Sequence, residues 1–325
     1  MRALVCREYG PIDALVVDNV DDPVAAPGEV VVDVAAAGLN YPDMLMVAGR
    51  YQIRLPTPFV PGIELAGTIA AVGDGVDESR IGQRVMAATL SGAFAEKTAI
   101  PADKALPIPA GLDFERAAGF VITYGTTIHA LRQSTKLQAG ETLLVLGAAG
   151  GVGIAAVELG KAIGASVIAA ASTEEKLAFA REAGADHAIN YTSHSLRDEL
   201  KRLTGGKGVN VVYDPVGGGL GVDALKSLAW QGRYLVIGFA SGDIPAFPAN
   251  LALLKAASIT GVYWGQWSEM NPQENARNFS ELAEWVAAGK LRAHVSSVHG
   301  ITEYEAAFEN IAKRRVLGKV VLSMR

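Results

Sequence analysis

Along roughly the first 120 residues, short runs of branched apolar side chains alternate with polar positions and are cut by Pro and Gly. Ala3–Cys6, Glu29–Ala36, Gly67–Val72, Arg84–Ala87 and Phe94–Ile100 fit strands, because period-two alternation suits a half-buried pleated surface. Pro27-Gly28, Pro61-Gly62 and Gly73-Asp74-Gly75 fit the turns between them. Strands this short at this rhythm predict a compact β-barrel. From Phe114 the apolar spacing turns helical, through Ala117, Ala118, Val121, Ile128 and Leu131, which marks the passage into a second domain.

There the pattern becomes strand, turn and helix in repetition. Leu143–Leu146 is a branched apolar run that stops in Gly147-Ala148-Ala149-Gly150-Gly151-Val152-Gly153, and apolar positions recur at helical spacing from Val152 to Gly164. Ala165–Ala171 is the next strand, and Ser172-Thr173-Glu174-Glu175 reads as a capping box opening a helix that runs to Gly184. Ala188–Asn190, Val209–Tyr213 and Arg233–Gly238 are further strands, with helices over Leu196–Leu203 and Leu220–Trp230. Pro248–Ala256 adds a helix and Ser258–Trp264 a last strand. Such alternation predicts an α/β, doubly wound parallel sheet whose ligand crevice lies at the carboxyl ends of the strands. A helix from Asn271-Pro272 to Gly289, one capped by Thr302-x-x-Glu305, and a closing strand Lys319–Leu322 are expected to rejoin the first domain. The expected division is 1–120 with 265–325, and 121–264.

Composition narrows the setting. Of 325 residues, 50% are apolar and 19% charged, enough to bury more than one core. Net charge is −5 with no long run of one sign, which argues against a nucleic-acid footprint and a polybasic membrane anchor. Cys6 is the only cysteine, so no internal disulfide forms and a reducing, cytoplasmic setting is expected. The opening Met-Arg-Ala-Leu-Val-Cys-Arg-Glu lacks the long apolar core of a signal peptide. Leu143–Leu159 is the most membrane-like stretch, but glycines interrupt it and Glu158 sits inside it, so no membrane span is expected.

Chemistry concentrates in the turn. Gly150 lets the main chain approach a pyrophosphate, Gly153 lets the helix pack close on the strand, and the unpaired amides of the helix's first turn point at the anion. Ala149, Gly150, Gly151, Val152 and Gly153 are therefore candidate cofactor-binding residues. Ala148 replaces the first glycine of G-x-G-x-x-G, and the segment also fits an ordinary tight strand-to-helix turn. An acid about twenty residues on, which would hydrogen-bond a ribose 2′-hydroxyl and repel a 2′-phosphate, is replaced by Ala171-Ser172. Ser172 with Lys176 one turn on would welcome the phosphate, so NADPH is favoured over NADH; Ser172 also reads as a helix N-cap, and Glu174 and Glu175 add negative charge nearby.

Five motifs in order, Gly38-Leu39-Asn40-Tyr41-Pro42-Asp43, Pro61-Gly62-Ile63-Glu64-Leu65-Ala66-Gly67, Ala148 to Gly153, Tyr213-Asp214-Pro215-Val216-Gly217 and Gly318-Lys319-Val320-Val321, run through the chain. With them the whole sequence resembles the zinc-independent quinone oxidoreductases of the medium-chain dehydrogenase/reductase superfamily. Gly261-Val262-Tyr263-Trp264-Gly265 looks like the quinone oxidoreductase-like branch. The resemblance implies a GroES-like β-barrel substrate domain, a Rossmann cofactor domain, hydride transfer from bound NADPH, and a homodimer paired through the exposed strand Ser258–Trp264.

It also implies sites. Zinc enzymes of this fold carry a Gly-His-Glu ligand motif where this chain has Gly62-Ile63-Glu64, so no metal is expected; His129, His187, His194, His294 and His299 show no ligand pairing. Asn40 and Thr126 match residues reaching the nicotinamide side, and Tyr191 a third contact to the 2′-phosphate. Val216, Gly217, Gly238, Phe239 and Ser241 lie on strand-end loops where the cofactor is expected, although Gly217 also suits a plain turn. Lys319 is a further cofactor contact or a solvated lysine on a closing strand. Hydride transfer to a quinone or an α,β-unsaturated carbonyl needs a hydrogen-bond donor for the enolate oxygen. Tyr51, in Gly49-Arg50-Tyr51, matches a functional tyrosine of related enoyl thioester reductases, while Asn40 and Asp43 share the Asn-x-x-Asp motif; Asp43 orients the loop or acts on substrate. Two alternatives stay open: an enoyl thioester reductase, with Arg50 and Arg54 as a basic rim, and a cofactor-binding protein with little turnover.

Overall fold

The computed structural model describes residues 1–325. They form two compact units, Met1–Ile122 with Ala293–Arg325, and Thr123–Arg292. In the first unit the chain runs β1 (Arg2–Val5), β2 (Val16–Asn19), β3 (Glu29–Leu39), α1 (Tyr41–Val47), β4 (Glu64–Val72), β5 (Arg84–Ala88), β6 (Lys97–Pro101), β7 (Leu106–Pro107) and α2 (Phe114–Ala118). The second unit holds α3 (Val121–His129), which begins at the boundary, then β8 (Thr142–Leu146), α4 (Gly151–Ile163), β9 (Ser166–Ala171), α5 (Glu174–Glu182), β10 (His187–Asn190) and α6 (Leu196–Leu203). It continues with β11 (Val209–Asp214), α7 (Gly218–Lys226), β12 (Leu228–Val236), α8 (Ala249–Lys255), β13 (Ser258–Gly261), α9 (Trp264–Met270) and α10 (Pro272–Ala287). The chain then returns to the first unit with β14 (Val295–Gly300), α11 (Tyr304–Ala312) and β15 (Lys319–Ser323).

The larger sheet of the first unit has the order β14-β15-β3-β4-β5-β7, with β6 also on β3. It is an open path rather than the closed barrel that the strand rhythm predicts. The eleven-residue β3 explains this: one of its edges pairs with β4, while the other serves β6 along Glu29–Asp33 and β15 along Ala36–Leu39. Leu4, Val32, Leu65, Ile69 and Phe94 form its core, and the returning segment completes it through Phe308, whose ring meets Phe94 edge-on at 6.1 Å, and Tyr304, whose hydroxyl donates to Leu15 O at 2.6 Å.

The second unit is a six-stranded, all-parallel sheet in the order β10-β9-β8-β11-β12-β13. Its strands read as apolar runs because helices cover the sheet, with Leu144, Leu146, Ile168, Val212 and Tyr234 at the core. Some elements depart from the sequence pattern for local reasons. Leu228–Trp230 begin β12 rather than ending a helix: Ser227 N closes α7 on Ala224 O, and Leu228 already pairs with Val209 before a shift in register near Gln231, at φ 57°. Trp264 opens α9 rather than ending a strand. The helix after β14 is entered through a turn in which Glu303 accepts from Gly300 N at 2.8 Å, so Thr302 is not its cap. Residues 265–292 cluster with the second unit, not the first, because α3 and the helical turn after it, Ala130–Ser134, hold them: the Trp264 ring fills the space over Gly125, Arg132 pairs with Glu281, and Gln133 exchanges hydrogen bonds with Asn278. No helix is long and apolar enough to cross a membrane.

Since Phe308 joins the returning segment to the first-unit core, Phe308→Ala is expected to lower the unfolding free energy by about 3–5 kcal/mol. Urea unfolding of purified protein measures this; an unchanged midpoint would show that the returning segment adds nothing to that core.

Candidate functional site

In the second unit the strand order reverses between β8 and β11, with β9 and β10 laid down on one side of β8 and β12 and β13 on the far side of β11. At such a switch point the loops leaving the two strands part and leave a crevice outside their carboxyl ends. Two glycines are forced there by contact. A Cβ on Gly153 would lie 2.2 Å from Gly147 O, and one on Gly147, itself at φ 57°, would lie 2.8 Å from Val216 Cγ2. Gly150 is different. Its φ of −76° suits any residue, and the nearest atom to a Cβ there is Gly147 O at 3.5 Å, ordinary contact. Neither backbone nor packing demands a glycine at 150, so what it provides is bare backbone at the mouth of α4. The first-turn amides of Gly151, Val152 and Gly153 lie beyond the reach of intrahelical acceptors and carry the positive end of a thirteen-residue helix.

The β11 side is organised by a residue to which sequence reasoning gave no role. Asp214 is buried; its Oδ1 accepts from Val216 N at 2.7 Å and Gly217 N at 2.9 Å, its Oδ2 from the Tyr234 hydroxyl, and its carbonyl from Ile237 N at 2.9 Å. Burial and the adjacent Asp214 carboxylate push the Tyr234 phenol up, keeping it a donor. Ala240 N donates to Pro215 O at 3.0 Å and Ser241 N to Val216 O at 2.9 Å, while Phe239 packs beside Gly217. Thus Val216, Gly217, Gly238, Phe239 and Ser241 form one laced loop pair, touching the turn through Gly147. An aspartate at a strand end, followed by Pro and two residues whose amides need an acceptor, was the available signal.

At the end of β9, Lys176 Nζ donates to Ser172 Oγ at 3.3 Å and Thr192 Oγ1 donates to Ser172 O at 3.1 Å. The helix cap is Thr173, not Ser172, since Thr173 Oγ1 accepts from Lys176 N. Glu174 accepts from Asn190 Nδ2 at 3.0 Å. Tyr191 follows β10, its N bonded to Ala171 O at 3.2 Å. Thr126 is half-buried on α3, a helix tied to β11 by the Thr127–Tyr213 hydroxyl pair at 2.8 Å. Three aromatics of this unit are engaged in packing: Tyr124 is buried with its hydroxyl on Glu158 at 2.6 Å, Trp264 lies on Gly125, and Trp267 stacks on His129 at 4.1 Å.

In the first unit the structure brings together Asn40, Asp43 and Lys319 with a fourth residue, Glu64. Lys319 is 6% exposed, and its ammonium donates to Leu39 O at 2.9 Å, Asn40 Oδ1 at 2.7 Å and Glu64 Oε2 at 3.0 Å. Asn40 Nδ2 donates to Gly38 O at 3.1 Å and Glu64 Oε2 at 3.2 Å, and Glu64 Oε1 accepts from Ile122 N at 2.8 Å. Asp43 Oδ2 accepts from Asn40 N at 2.8 Å, the reach-back of a capping box, but its Oδ1 is buried without a partner. Tyr51 sits half-buried in the loop after α1, its N on Leu45 O at 3.1 Å. Arg54 is spent on that loop: Nε and Nη2 donate to Gly49 O, and the guanidinium lies over the Tyr9 ring.

These residues do not fit zinc. A zinc site groups three or four thiolate, imidazole or carboxylate ligands, and no such group of three occurs in the chain. Glu64, at the position of the zinc motif, faces an ammonium and has N–H donors on both oxygens.

Burial, with the Glu64 charge adding to it, pushes the Asp43 carboxyl up to about 7, against the Asn40 N–H and the Lys319 charge. The folded chain therefore holds this proton at pH values where the unfolded chain has lost it. The resulting stability is complete below about pH 4 and is lost as pH rises to 7, at up to about 1.4 kcal/mol per pH unit. In Asp43→Asn that fall should disappear, so urea midpoints of the variant at pH 5 and pH 7 should lie closer together than those of the parent; an equal fall in both would exclude Asp43 as its source.

Residues 151–284 match the family described as zinc-binding dehydrogenase, and residues 26–110 the alcohol dehydrogenase GroES-like domain. The chain is 37% identical over 325 residues to the Bos taurus quinone oxidoreductase-like protein 2, covering 100% of this chain and 93% of that one. It is 36% identical over 326 residues to the quinone oxidoreductase-like protein 2 homolog of Nematostella vectensis, covering 100% and 89%. Among solved structures it superposes on Escherichia coli quinone oxidoreductase complexed with NADPH with a TM-score of 0.93 at 30% identity, over 99% of this chain and 100% of that one. The chain, with its parallel dinucleotide-type sheet and GroES-like unit, belongs to the quinone oxidoreductase family of the medium-chain dehydrogenase/reductase superfamily.

Proposed function

We propose that the protein is an NADPH-dependent, metal-independent reductase of quinones and α,β-unsaturated carbonyls. The observation that carries the cofactor choice is the end of β9, where a serine hydroxyl and a lysine ammonium lie together at 3.3 Å in place of an acid. An acid there would repel a 2′-phosphate; this pair attracts it, and Glu174, one of the two nearby acids, is turned to Asn190. The bare backbone at Gly150 and the amides of Gly151–Gly153 would hold the pyrophosphate, with Val216, Gly217 and the Gly238–Ser241 loop beside it. The E. coli relative, which was solved with NADPH, supports the same reading.

Bound NADPH supplies a hydride, and the protein's part is to hold the acceptor and to hydrogen-bond the oxygen on which negative charge develops. A carboxamide has two N–H donors and one oxygen. In Asn40 both donors are taken, by Gly38 O and Glu64, so it meets a ligand only as an acceptor. Asn40 thus serves the nicotinamide side, and the role of donor to the enolate oxygen falls to the Tyr51 hydroxyl. Asp43 orients the entry to α1 through Asn40 N rather than acting on substrate. The thioester alternative loses half its basic rim, because Arg54 is bound to Gly49 O. For assembly we propose a homodimer through β13, an edge strand with one unpaired side, flanked by the exposed Leu253, Leu254 and Tyr263.

Chelated protein should oxidise NADPH faster than NADH with 1,4-benzoquinone or a medium-chain enone as acceptor. Turnover confined to crotonyl coenzyme A would favour the thioester reading, and tight NADPH binding with no turnover would leave a binding protein. Tyr51→Phe should lower kcat with the enone about tenfold to a hundredfold at saturating NADPH, leaving NADPH affinity unchanged; full activity in the variant would remove Tyr51 from the mechanism. Light scattering should give the mass of two chains, and Ile259→Lys on β13 should give one; a monomeric parent would refute the dimer.

A further inference from the structure

Lys319 lies in a built setting. Its aliphatic stem runs over Gly119, where a Cβ would come within 2.9 Å of Lys319 Cγ, and Gly38 is bare because a Cβ there would lie 2.2 Å from Ala118 O and 2.9 Å from Glu64 Oε2. An ammonium has three protons, and here all of them are spent inside the first unit, on Leu39 O, Asn40 Oδ1 and Glu64 Oε2. None is left for a phosphate. The lysine's geometry fits a role inside the first unit, beside the direct cofactor contact that its position in the motif suggests.

The ammonium settles which way the Asn40 amide points. With Oδ1 on Lys319 and Nδ2 on Gly38 O and Glu64 Oε2, every contact pairs a donor with an acceptor. Turned over, the amide would set N–H against ammonium and oxygen against both carbonyl and carboxylate, losing all three bonds. Glu64 alone would not fix the amide so firmly, because a buried carboxylate without its cation is destabilised by desolvation. We propose that Lys319, through its pair with Glu64, is a positioning residue that holds Asn40 with one spare valence, an Oδ1 lone pair, for a hydrogen-bond donor on the nicotinamide half of the cofactor. The inference rests on the proposed NADPH-dependent reaction.

The test uses the full chain and two ligands, NADPH and 2′-phospho-ADP-ribose, which lacks the nicotinamide. Lys319→Met alone would leave Glu64 buried without a cation and could unfold, so the working variant is Lys319→Met with Glu64→Gln, neutral and similar in volume. Circular dichroism and a cooperative urea transition check that it folds. Titration calorimetry should show NADPH affinity about tenfold weaker and 2′-phospho-ADP-ribose affinity unchanged, the loss of one directed hydrogen bond. The same pair of substitutions placed on Asn40→Ala should cause no further loss of NADPH affinity. An unchanged NADPH affinity, an equal loss for both ligands, or a further loss in the Asn40→Ala background would overturn the positioning role. A parent protein that binds neither ligand would instead overturn the proposed function, and this inference with it.

Discussion

The distance between Gly153 and the carbonyl of Gly147, too short for any side chain at 153, fixes where α4 begins. Because that helix must start so close to the end of β8, the turn between them has room only for small residues, and Ala148 fits there fully buried. The same tightness lays Gly147 against Val216, which draws the β11 loop to the turn. Asp214 then holds that loop by two backbone amides, and the Gly238–Ser241 segment is laced onto it by further main-chain bonds. One close approach thereby propagates across the switch point of the parallel sheet. What it leaves open is the bare backbone at Gly150 and the first-turn amides of the helix, where the proposed function puts the pyrophosphate.

The first unit is governed by a different constraint, the need to satisfy charge without water. Lys319 and Glu64 meet it fully, with an acceptor for each ammonium proton and donors on both carboxylate oxygens. Such a pair contributes little net stability over apolar residues of the same shape, but removing one partner costs about 3–5 kcal/mol, so it enforces geometry more than it adds strength. Asp43, three residues from Asn40, is the contrasting case. Its second oxygen is buried without a partner, and the carboxyl responds by holding its proton toward neutral pH. The structure thus separates two roles that the Asn-x-x-Asp spacing presents as one motif: Asn40 is aimed, and Asp43 fixes the backbone that aims it.

Much of the second unit is legible from sequence, since most of its parallel strands are short apolar runs and helices such as α4, α5 and α6 are bounded by a side-chain cap or a glycine. Leu196–Leu203 agrees to the residue, with Ser195 capping it. The pattern fails where three-dimensional pairing overrules local preference, as at Leu228–Trp230, which extend an apolar helical pattern although Leu228 already pairs with Val209 of β11. The open sheet of the first unit is likewise hidden, because nothing in β3 tells that one of its edges is shared by two strands far apart in the chain. Among site residues, the turn glycines announce themselves by spacing. Glu64 and Asp214 do not, since their meaning lies in partners 255 and 20 residues away, Lys319 and Tyr234.

Hydride transfer from a nicotinamide to an activated double bond leaves a label that no other route leaves. NADPH deuterated at the transferable C4 position, incubated with chelated protein and a medium-chain enone, should give a ketone carrying one deuterium at its β-carbon, read by mass spectrometry and NMR. A reduced product without deuterium, its β-hydrogen drawn from solvent, or no reduction except on restoring a metal, would contradict direct transfer by a metal-independent reductase.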